Sequence, residues 1–311
     1  MENSDSMFPF FTVNGLNFIG KSTKKVLKSP ILTRKIFNLK DRKVYSFISK
    51  YYHDVESINN KVPIRKNIKK NNVIWTGWLQ GLSKSPEIVK MGFNNIKSKS
   101  NGHKVIFIDE NNFREYIPDF SERIFSQYRK GKILPAHFMD MVRVKLIVRY
   151  GGIWIDPTVF LTKKMNNAIF EESFSSYRTV PGEWHSNPAD SLWCTFYMGG
   201  EANDPFFSLT DDMLNNYWEN NQKHIDYFLL DYVMKYIYLR NDDIRKIVDK
   251  NEISNISAFS LNPLLKENFN SEVSNEINKK LKNGKLFKLS YKEKYDKESF
   301  GLMIDNINIF N

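Results

Sequence analysis

Three charged side chains, Asp140, Arg143 and Asp156, lie in a stretch of the chain that is mostly apolar. Asp140 and Arg143 are three residues apart and share one face if their segment is helical. A carboxylate accepts hydrogen bonds from two vicinal hydroxyl groups, and a guanidinium bridges hydroxyl and phosphate oxygens. On a generic helix the pair would be a surface ion pair. Because this helix is mostly apolar and leads into a strand that ends in a carboxylate, we favour a binding site for a polyhydroxylated ligand.

The segment that leads to Asp156 supplies a sharp turn and then a strand. Gly151 and Gly152 follow the predicted helix and permit a tight turn with close backbone approach. The apolar run Ile153–Ile155 predicts a buried strand that ends at Asp156. Ligands of open α/β sheets bind at the carboxyl ends of the strands, where this order places Asp156. For this residue taken alone, a cap on the following turn is the alternative.

The elements before this segment indicate an α/β fold. The run Val73–Trp78 predicts a buried strand, Pro86 is favoured at the start of a helix, and Lys104–Asp109 predicts a second strand. Strand, helix and strand in this order form a βαβ unit, so we expect a parallel sheet with helices on its faces. The helix before the two glycines is expected over residues 136–150.

The second half of the chain has a less regular pattern. The run Val159–Leu161 predicts an extended segment directly after the candidate site. Strands are expected around 178–180 and 192–198, helices at 206–220 and 224–239, and short helices with the apolar run Leu286–Leu289 in the tail.

The chain is basic, with a net charge of +11 from 46 Lys and Arg against 35 Asp and Glu. Nucleic acid, an anionic membrane surface or a phosphorylated small molecule would each suit this charge, and a solvated basic face is the alternative. Nucleic acid is not expected as a partner, because no zinc knuckle, recognition helix or RNA-binding aromatic motif accompanies the charge. The excess is concentrated in two N-terminal clusters: Lys21, Lys24, Lys25, Lys28, Arg34, Lys35, Lys40, Arg42 and Lys43, and then Lys61, Arg65, Lys66, Lys69 and Lys70.

Residues 1–70 are expected to form a basic helical region, with residues 71–311 as the main domain. Apolar side chains recur at helical spacing in Val44, Phe47 and Ile48. Two roles stay open for this region. It is either a helical subdomain packed on the core, which we favour, or a surface that meets anionic lipid.

The start of the chain lacks the pattern of a signal peptide. The run Phe8–Phe11 is too short for its apolar region, and Glu2 and Asp5 carry the wrong charge beside it. No window approaches the roughly 18 apolar residues of a membrane span. A single cysteine, Cys194, precludes an intrachain disulfide. We therefore expect a cytoplasmic protein whose membrane contact is at most peripheral, at the inner face of the plasma membrane.

A family resemblance is carried by the spacing Asp140-x-x-Arg143 followed by Arg149-Tyr150-Gly151-Gly152-Ile153-Trp154-Ile155-Asp156. This pattern resembles the signature of glycosyltransferase family 32-like sugar transferases, and within them the capsular polysaccharide synthesis branch. The upstream runs Ile74–Gly81 and Ser85–Val89 are similar to that branch's first strand and its Pro-containing helix start. Further on, Asp226–Asp231 and Lys288–Ser290 show a weaker similarity.

The resemblance implies a GT-A type, Rossmann-like fold. Its mixed sheet is flanked by helices, and here it carries an N-terminal helical extension. It also implies transfer of a hexose, with retention of anomeric configuration, from a nucleotide-diphosphate sugar to a glycan or lipid-linked oligosaccharide acceptor. The expected process is the synthesis of capsular or other cell-surface polysaccharide.

Carried over by position, the resemblance assigns Asp140 and Arg143 to the hydroxyls of the donor sugar, and Asp156 to ribose, phosphate or a metal. These three residues are the catalytic candidates. An aromatic side chain from the first strand would stack on the nucleobase, with Trp78 as first choice and Trp75 as second, and a core role is the alternative for either. The whole predicted donor site is Trp75, Trp78, Asp140, Arg143, Gly151, Gly152, Asp156 and Thr158.

The chain departs from the family's motif at Thr158, where a second Asp typically ligates the divalent cation. A neutral hydroxyl is a poor substitute toward a hard cation such as Mg²⁺ or Mn²⁺. Either Asp156 holds the cation with ligands from elsewhere, or Lys and Arg side chains neutralise the diphosphate. The absence of a second carboxylate from the motif also motivates a second functional hypothesis, a non-catalytic nucleotide-sugar or glycan-binding module on this fold.

Three further residues are weaker candidates. His185 lies in a polar loop, where a role without ligand contact is favoured over contact with phosphate or acceptor. Asp226 and Asp231 are five residues apart on one predicted helix and do not form a tight pair. Asp231 is the one of the two that we consider for the cleft.

Overall fold

The computed structural model describes residues 4–53, 72–181, 187–268 and 270–293, together with 295, 298, 299 and 301. In this part of the chain a five-stranded mixed sheet is flanked by helices, and helices precede it at the N-terminus. The predicted α/β architecture with an N-terminal helical extension is therefore confirmed. None of the described helices is long and apolar enough to cross a bilayer.

The N-terminal extension consists of two helices that pack against each other. Helix α1 is Ser4–Ser22 and continues into a π-helical turn, Thr23–Leu27. Helix α2 is Pro30–Ile48, and it ends in a 3₁₀ turn, Ser49–Tyr51. Pro at the first helical position suits the start of α2, because its missing N–H would have had no helical partner there.

The next elements build the predicted βαβ unit. Strand β1 is Val73–Gly77, helix α3 is Glu87–Lys99 and strand β2 is Lys104–Ile108. The two strands pair in parallel, as expected. Two short helices follow, α4 at Phe113–Tyr116 and α5 at Glu122–Arg129.

A long buried helix and a strand then follow in direct succession. Helix α6 is Pro135–Tyr150, and strand β3 is Gly152–Ile155. Strand β3 pairs in parallel with β1, so the carboxyl ends of β1, β2 and β3 lie at one edge of the sheet. This is the edge at which Asp156 was expected.

The second half of the chain completes the sheet and covers it. Its elements are β4 (Val159–Leu161), a 3₁₀ turn (Asn167–Phe170), β5 (Phe174–Ser176), β6 (Tyr197–Gly200), α7 (Pro205–Asn220), α8 (Leu229–Tyr238), α9 (Asp242–Asp249), α10 (Leu261–Leu264), α11 (Ser271–Asn283) and β7 (Leu286–Lys288). The main sheet has the order β2-β1-β3-β6-β5, in which β6 runs antiparallel to both of its neighbours. Strands β4 and β7 form a separate antiparallel pair in which Val159 lies opposite Lys288.

Several predicted elements in the second half are wrong in position. Around 178–180 there is only an isolated bridge, from Arg178 to Ile253, and the strand lies earlier, at β5. The strand expected at 192–198 begins only at Tyr197, because the chain turns where the Cys194 carbonyl accepts the Tyr197 N–H. The helix expected from residue 224 begins at Leu229.

A buried ion pair anchors the N-terminal helices to the main domain. The Lys40 ammonium on α2 lies 3.0 Å from Oδ2 of Asp226, and their side chains are only 1% and 3% exposed. Tyr232 on α8 donates a hydrogen bond to Asp41, the neighbour of Lys40. The described part of the N-terminal region therefore packs on the core, which is the role we favoured. The predicted boundary at residue 70 and the cluster Lys61–Lys70 lie outside the described residues.

Helix α3 packs tightly behind the loop that follows β3. A Cβ on Gly92 would overlap the Pro157 carbonyl oxygen. We expect Gly92→Ala to destabilise the protein by about 1–3 kcal/mol, since the overlap outweighs the gain of about 1 kcal/mol from better helix propensity. Gly15→Ala in α1 is the matched control, because a Cβ at that position would meet nothing within 4 Å. Urea denaturation measures both, and equal stability of the two variants would contradict the tight contact.

Candidate functional site

The structure brings Asp140, Arg143 and Asp156 together at the carboxyl end of β3. Arg143 lies between the two carboxylates, with Nη2 3.2 Å from Oδ1 of Asp140 and Nη1 3.4 Å from Oδ1 of Asp156. Asp140 and Arg143 share a face of α6, as their spacing predicts, and Asp156 directly follows the buried strand β3. One cation and two anions of a cluster predicted from sequence are therefore in contact.

The Arg143 guanidinium is held by groups other than the two carboxylates. Its Nη1 donates a 2.7 Å hydrogen bond to the Thr195 carbonyl oxygen, and its central carbon lies 5.1 Å from the centre of the Trp154 ring. The residue is only 7% exposed, and its Nε has no hydrogen-bond partner among the described residues. Arg143 is therefore fixed in orientation by its neighbours.

Asp156 is positioned by the strand that precedes it and by a distant lysine. The Trp154 indole donates a 2.7 Å hydrogen bond to Oδ1, and the Lys288 ammonium lies 2.6 Å from Oδ2. The backbone N–H of Asp156 donates to the Phe196 carbonyl oxygen. Both carboxylate oxygens thus have cationic or N–H donors, which fixes the plane of the carboxylate.

Lys288 lies beside Thr158, the residue at which the chain departs from the family motif. Its ammonium also makes a 2.6 Å hydrogen bond with Oγ1 of Thr158, so it bridges Asp156 and Thr158. The antiparallel pairing of β4 with β7 puts it there, by setting Lys288 opposite Val159. From the sequence, only a weak similarity of the segment Lys288–Ser290 pointed to this region, and it gave Lys288 no role.

The electrostatic environment gives Asp140 and Asp156 different pKa values. Burial alone would raise the pKa of Asp156, but Lys288 and Arg143 outweigh it and hold the pKa below its usual value. For Asp140, burial raises the pKa to about 6 against the opposing effect of Arg143, and the nearby Asp156 charge adds to the rise. Asp156 is therefore ionised near neutral pH, while Asp140 takes up a proton at a pH closer to neutral.

A third carboxylate, Asp231, belongs to the same neighbourhood. It lies in the first turn of α8, is 5% exposed, and accepts a 3.1 Å hydrogen bond from the Trp193 indole. Burial, and then the Asp140 charge, raise its pKa to about 7. Asp231 therefore lies close enough to Asp140 to interact with it electrostatically, whereas Asp226 is engaged with Lys40 and has a structural role.

A neutral imidazole stands behind Asp140. His137 is 1% exposed, and its Nδ1 lies 3.8 Å from Oδ2 of Asp140. Burial, and then the neighbouring His224, lower the pKa of His137 to about 3. His137 is therefore uncharged under physiological conditions and adds no positive charge to the cluster. The sequence analysis gave it no role, because a histidine on an apolar helix carries no spacing signal by itself.

Aromatic side chains surround the charged cluster. Trp78 follows β1 at the same sheet edge as Asp156, is partly buried, and packs edge-to-face with Tyr291 at 5.0 Å between ring centres. Tyr227 is 55% exposed. Burial raises its pKa, and so do the neighbouring charge of Asp140 and the more distant one of Asp156. Trp78, Tyr227 and Tyr291 therefore retain exposed ring surface, and Tyr227 lies near Asp140.

Three predicted donor-site residues make contacts that support the fold. Trp75 is 2% exposed, and its indole donates a 2.9 Å hydrogen bond to the Gly151 carbonyl oxygen. Gly151 precedes β3 and Gly152 is its first residue, which places Gly152 about 13 Å from Asp156 at roughly 3.3 Å per residue. A Cβ on Gly152 would overlap the Val73 carbonyl oxygen, so this glycine allows β3 to lie close to β1. The assignment of Trp75, Gly151 and Gly152 to donor binding stays a prediction.

The donor set around Asp156 does not fit a divalent cation as it stands. Both carboxylate oxygens already contact cationic side chains, and the Thr158 hydroxyl is engaged with Lys288. Hard cations of this kind prefer several oxygen ligands, and bringing one here would require displacing the Lys288 ammonium. The described residues include no group of three or more His, Cys, Asp or Glu side chains that could hold a metal.

Two other features lie apart from this cluster. A cavity of about 630 Å³ is lined by residues of the N-terminal helices and α7, namely Pro9, Phe47, Lys50, Tyr51, His53, Asn216, Asn220 and Asn221. None of these residues belongs to the charged cluster. His185, the polar-loop candidate, lies outside the described residues.

Comparison with known proteins gives a family match and likenesses to solved structures. The family described as capsular polysaccharide synthesis protein matches residues 24–307. Among solved structures, the PaToxG glycosyltransferase is similar with a TM-score of 0.40 and 13% sequence identity, over 80% of this chain and 99% of that chain. No curated protein matches the chain.

Proposed function

The chain belongs to the capsular polysaccharide synthesis protein family, and from this premise we propose that it is a glycosyltransferase that uses a nucleotide-diphosphate sugar. The observation that carries the proposal is the cluster of Asp140, Arg143 and Asp156 at the carboxyl end of β3. Ligands of open α/β sheets bind at this edge. Carboxylates there suit sugar hydroxyls, and the guanidinium suits phosphate oxygens.

In this proposal the donor lies across the cluster, with its sugar at Asp140 and its diphosphate at the cations. Asp140 accepts hydrogen bonds from sugar hydroxyls. Arg143, whose guanidinium lies between Asp140 and Asp156, bridges the sugar and the phosphates. The base stacks on Trp78, the partly buried aromatic residue at the end of β1. Such an arrangement accelerates transfer by holding the donor in a reactive orientation.

The proposed reaction moves a hexose onto a glycan or lipid-linked oligosaccharide. A bond forms between an acceptor hydroxyl oxygen and the anomeric carbon, and the bond from that carbon to the diphosphate oxygen breaks. The hydroxyl proton passes to the departing nucleoside diphosphate. Retention of anomeric configuration is part of the proposal because the family resemblance implies it.

The negative charge that develops on the diphosphate requires cations nearby. We assign this role to Arg143 and Lys288, whose side chains already lie within 3.4 Å and 2.6 Å of Asp156. Preorganised donors of this kind stabilise the charge of a leaving group without reorganisation during the reaction. Since the residues around Asp156 do not fit a divalent cation, no step is assigned to a metal.

The proposal is tested by nucleoside diphosphate release across a panel of nucleotide-sugars, with wild type and Asp156→Asn. We expect turnover of at least one donor, reduced by Asp156→Asn about 100-fold or more, because the neutral amide no longer orients Lys288 and Arg143 at the diphosphate. Asp242→Asn changes a carboxylate that is 79% exposed and is the matched control. Tight donor binding without any turnover would favour the non-catalytic module, and equal activity of Asp156→Asn would refute the site.

A further inference from the structure

The outward surface of the N-terminal helices is apolar. Nine of the fourteen large hydrophobic side chains that are exposed in the described part of the chain lie between residues 8 and 39. On α1 they follow one stripe, while Phe10 and Val13 on the other side of the helix are buried. The nine residues, called the apolar surface below, are Phe8, Phe11, Phe18, Ile19, Val26, Leu27, Ile31, Leu32 and Leu39.

The same segment is purely basic in its charged side chains. Between Ser6 and Lys40 the sequence contains no Asp or Glu. Its exposed basic side chains form no ion pair with any residue in the described ranges. They lie mostly at the turn between α1 and α2, next to the exposed Val26 and Leu27. These residues are Lys21, Lys24, Lys25, Lys28, Arg34 and Lys35.

Exposed apolar side chains and uncompensated positive charge have a common physical partner. A helix of this type lies in the plane of a membrane, with its apolar side chains in the boundary between headgroups and acyl chains. Each nearby Lys or Arg adds attraction to an anionic leaflet. A second copy of this chain is a poorer occupant, because two such surfaces would bring like charges together.

We propose that the apolar surface and its six basic neighbours dock this protein on an anionic lipid bilayer. Phe8, Phe11 and Phe18, each at least 69% exposed, insert at the interface. The basic side chains contact the headgroups. The buried pair of Lys40 and Asp226 connects the docked helices to the main domain. This proposal does not depend on sugar transfer, since it concerns side chains outside the charged cluster.

The test is flotation of the full chain with vesicles of phosphatidylcholine alone or mixed with phosphatidylglycerol. We expect binding at least about tenfold stronger to the anionic vesicles, and weaker binding at high salt. Lys24→Gln/Lys25→Gln/Lys28→Gln is expected to weaken it about tenfold or more. The matched control is Lys279→Gln/Lys282→Gln/Lys285→Gln, which removes three exposed lysines elsewhere and leaves binding unchanged.

Phe11→Ser/Phe18→Ser tests the apolar part and is expected to reduce binding to anionic vesicles. Circular dichroism and donor turnover should stay at wild-type levels, because both side chains point away from the core. Equal binding to the two vesicle types, or no binding to either, would overturn the proposal. So would a self-associated wild type that Phe11→Ser/Phe18→Ser converts to monomer while vesicle binding is unaffected, since the surface would then join two copies.

Discussion

Lys288→Met is expected to lower kcat/KM for donor turnover about 100-fold or more, although Lys288 lies 132 residues from Asp156 in the sequence. The substitution keeps an unbranched side chain but removes the ammonium that bridges Asp156 and Thr158. The diphosphate then leaves without one of its two proposed cations. In addition, the buried Asp156 loses a partner that lowers its pKa, so its pKa should rise.

The matched control is Lys285→Met, which removes a neighbouring lysine whose side chain is 70% exposed and pairs with Glu252. Its activity should equal that of wild type. EDTA provides the second arm, because the proposed role of Lys288 requires activity without added divalent cation. A wild type that EDTA inactivates and Mn²⁺ restores, together with an active Lys288→Met variant, would assign charge neutralisation to a metal and refute the role of Lys288.

Lys40→Met should lower the free energy of unfolding by about 3–5 kcal/mol, the effect of breaking a buried ion pair on one side. Asp226 would remain 3% exposed at its side chain without the ammonium that lies 3.0 Å away. The Lys40 ammonium also lies 5.4 Å from the centre of the Tyr232 ring on α8. The lost stability therefore comes from the contact between the N-terminal helices and the main domain. Urea denaturation followed by circular dichroism measures it.

Lys43→Met, on the same helix but exposed, is the control and should change stability little. The double variant Lys40→Met/Asp226→Asn separates charge from packing. If the uncompensated carboxylate causes the loss, the double variant should be more stable than Lys40→Met alone. A double variant as unstable as the single one would show that the pair matters through shape and not through charge.

The first half of the fold is predictable because its signals are local. Strand β1, helix α3 and strand β2 each have a continuous or periodic apolar pattern, bounded by Pro86 and by the turn around Gly102. Helix α6 ends at Gly151, which has a positive φ of 67°. Asp140, Arg143 and Asp156 follow from these elements, since helical spacing and strand direction determine where the side chains lie.

The rest of the fold and of the candidate site depends on contacts between residues far apart in the sequence, which no local pattern predicts. Strands β4 and β7 have three residues each, so neither shows a useful alternation. Their pairing alone brings Lys288 to Thr158. The sequence favours Trp78 over Trp75 for stacking, but only the structure shows that Trp75 is almost fully buried. Likewise the late start of α8 follows from the turn at Asp226, whose carboxylate accepts the Phe228 N–H and pairs with a distant lysine.

Because the pairing of β4 with β7 brings Lys288 to Thr158, it also determines when the charged cluster is completed during synthesis of the chain. A ribosome synthesises the chain from the N-terminus, and early segments begin to fold before late ones exist. The segment with Asp140, Arg143 and Asp156 is synthesised before Lys288, which is added 132 residues after Asp156. A nascent chain therefore holds the carboxylates before Lys288 is present, and the N-terminal helices proposed to dock on lipid are synthesised earlier still. We therefore expect the proposed docking on lipid to be possible before the charged cluster is complete.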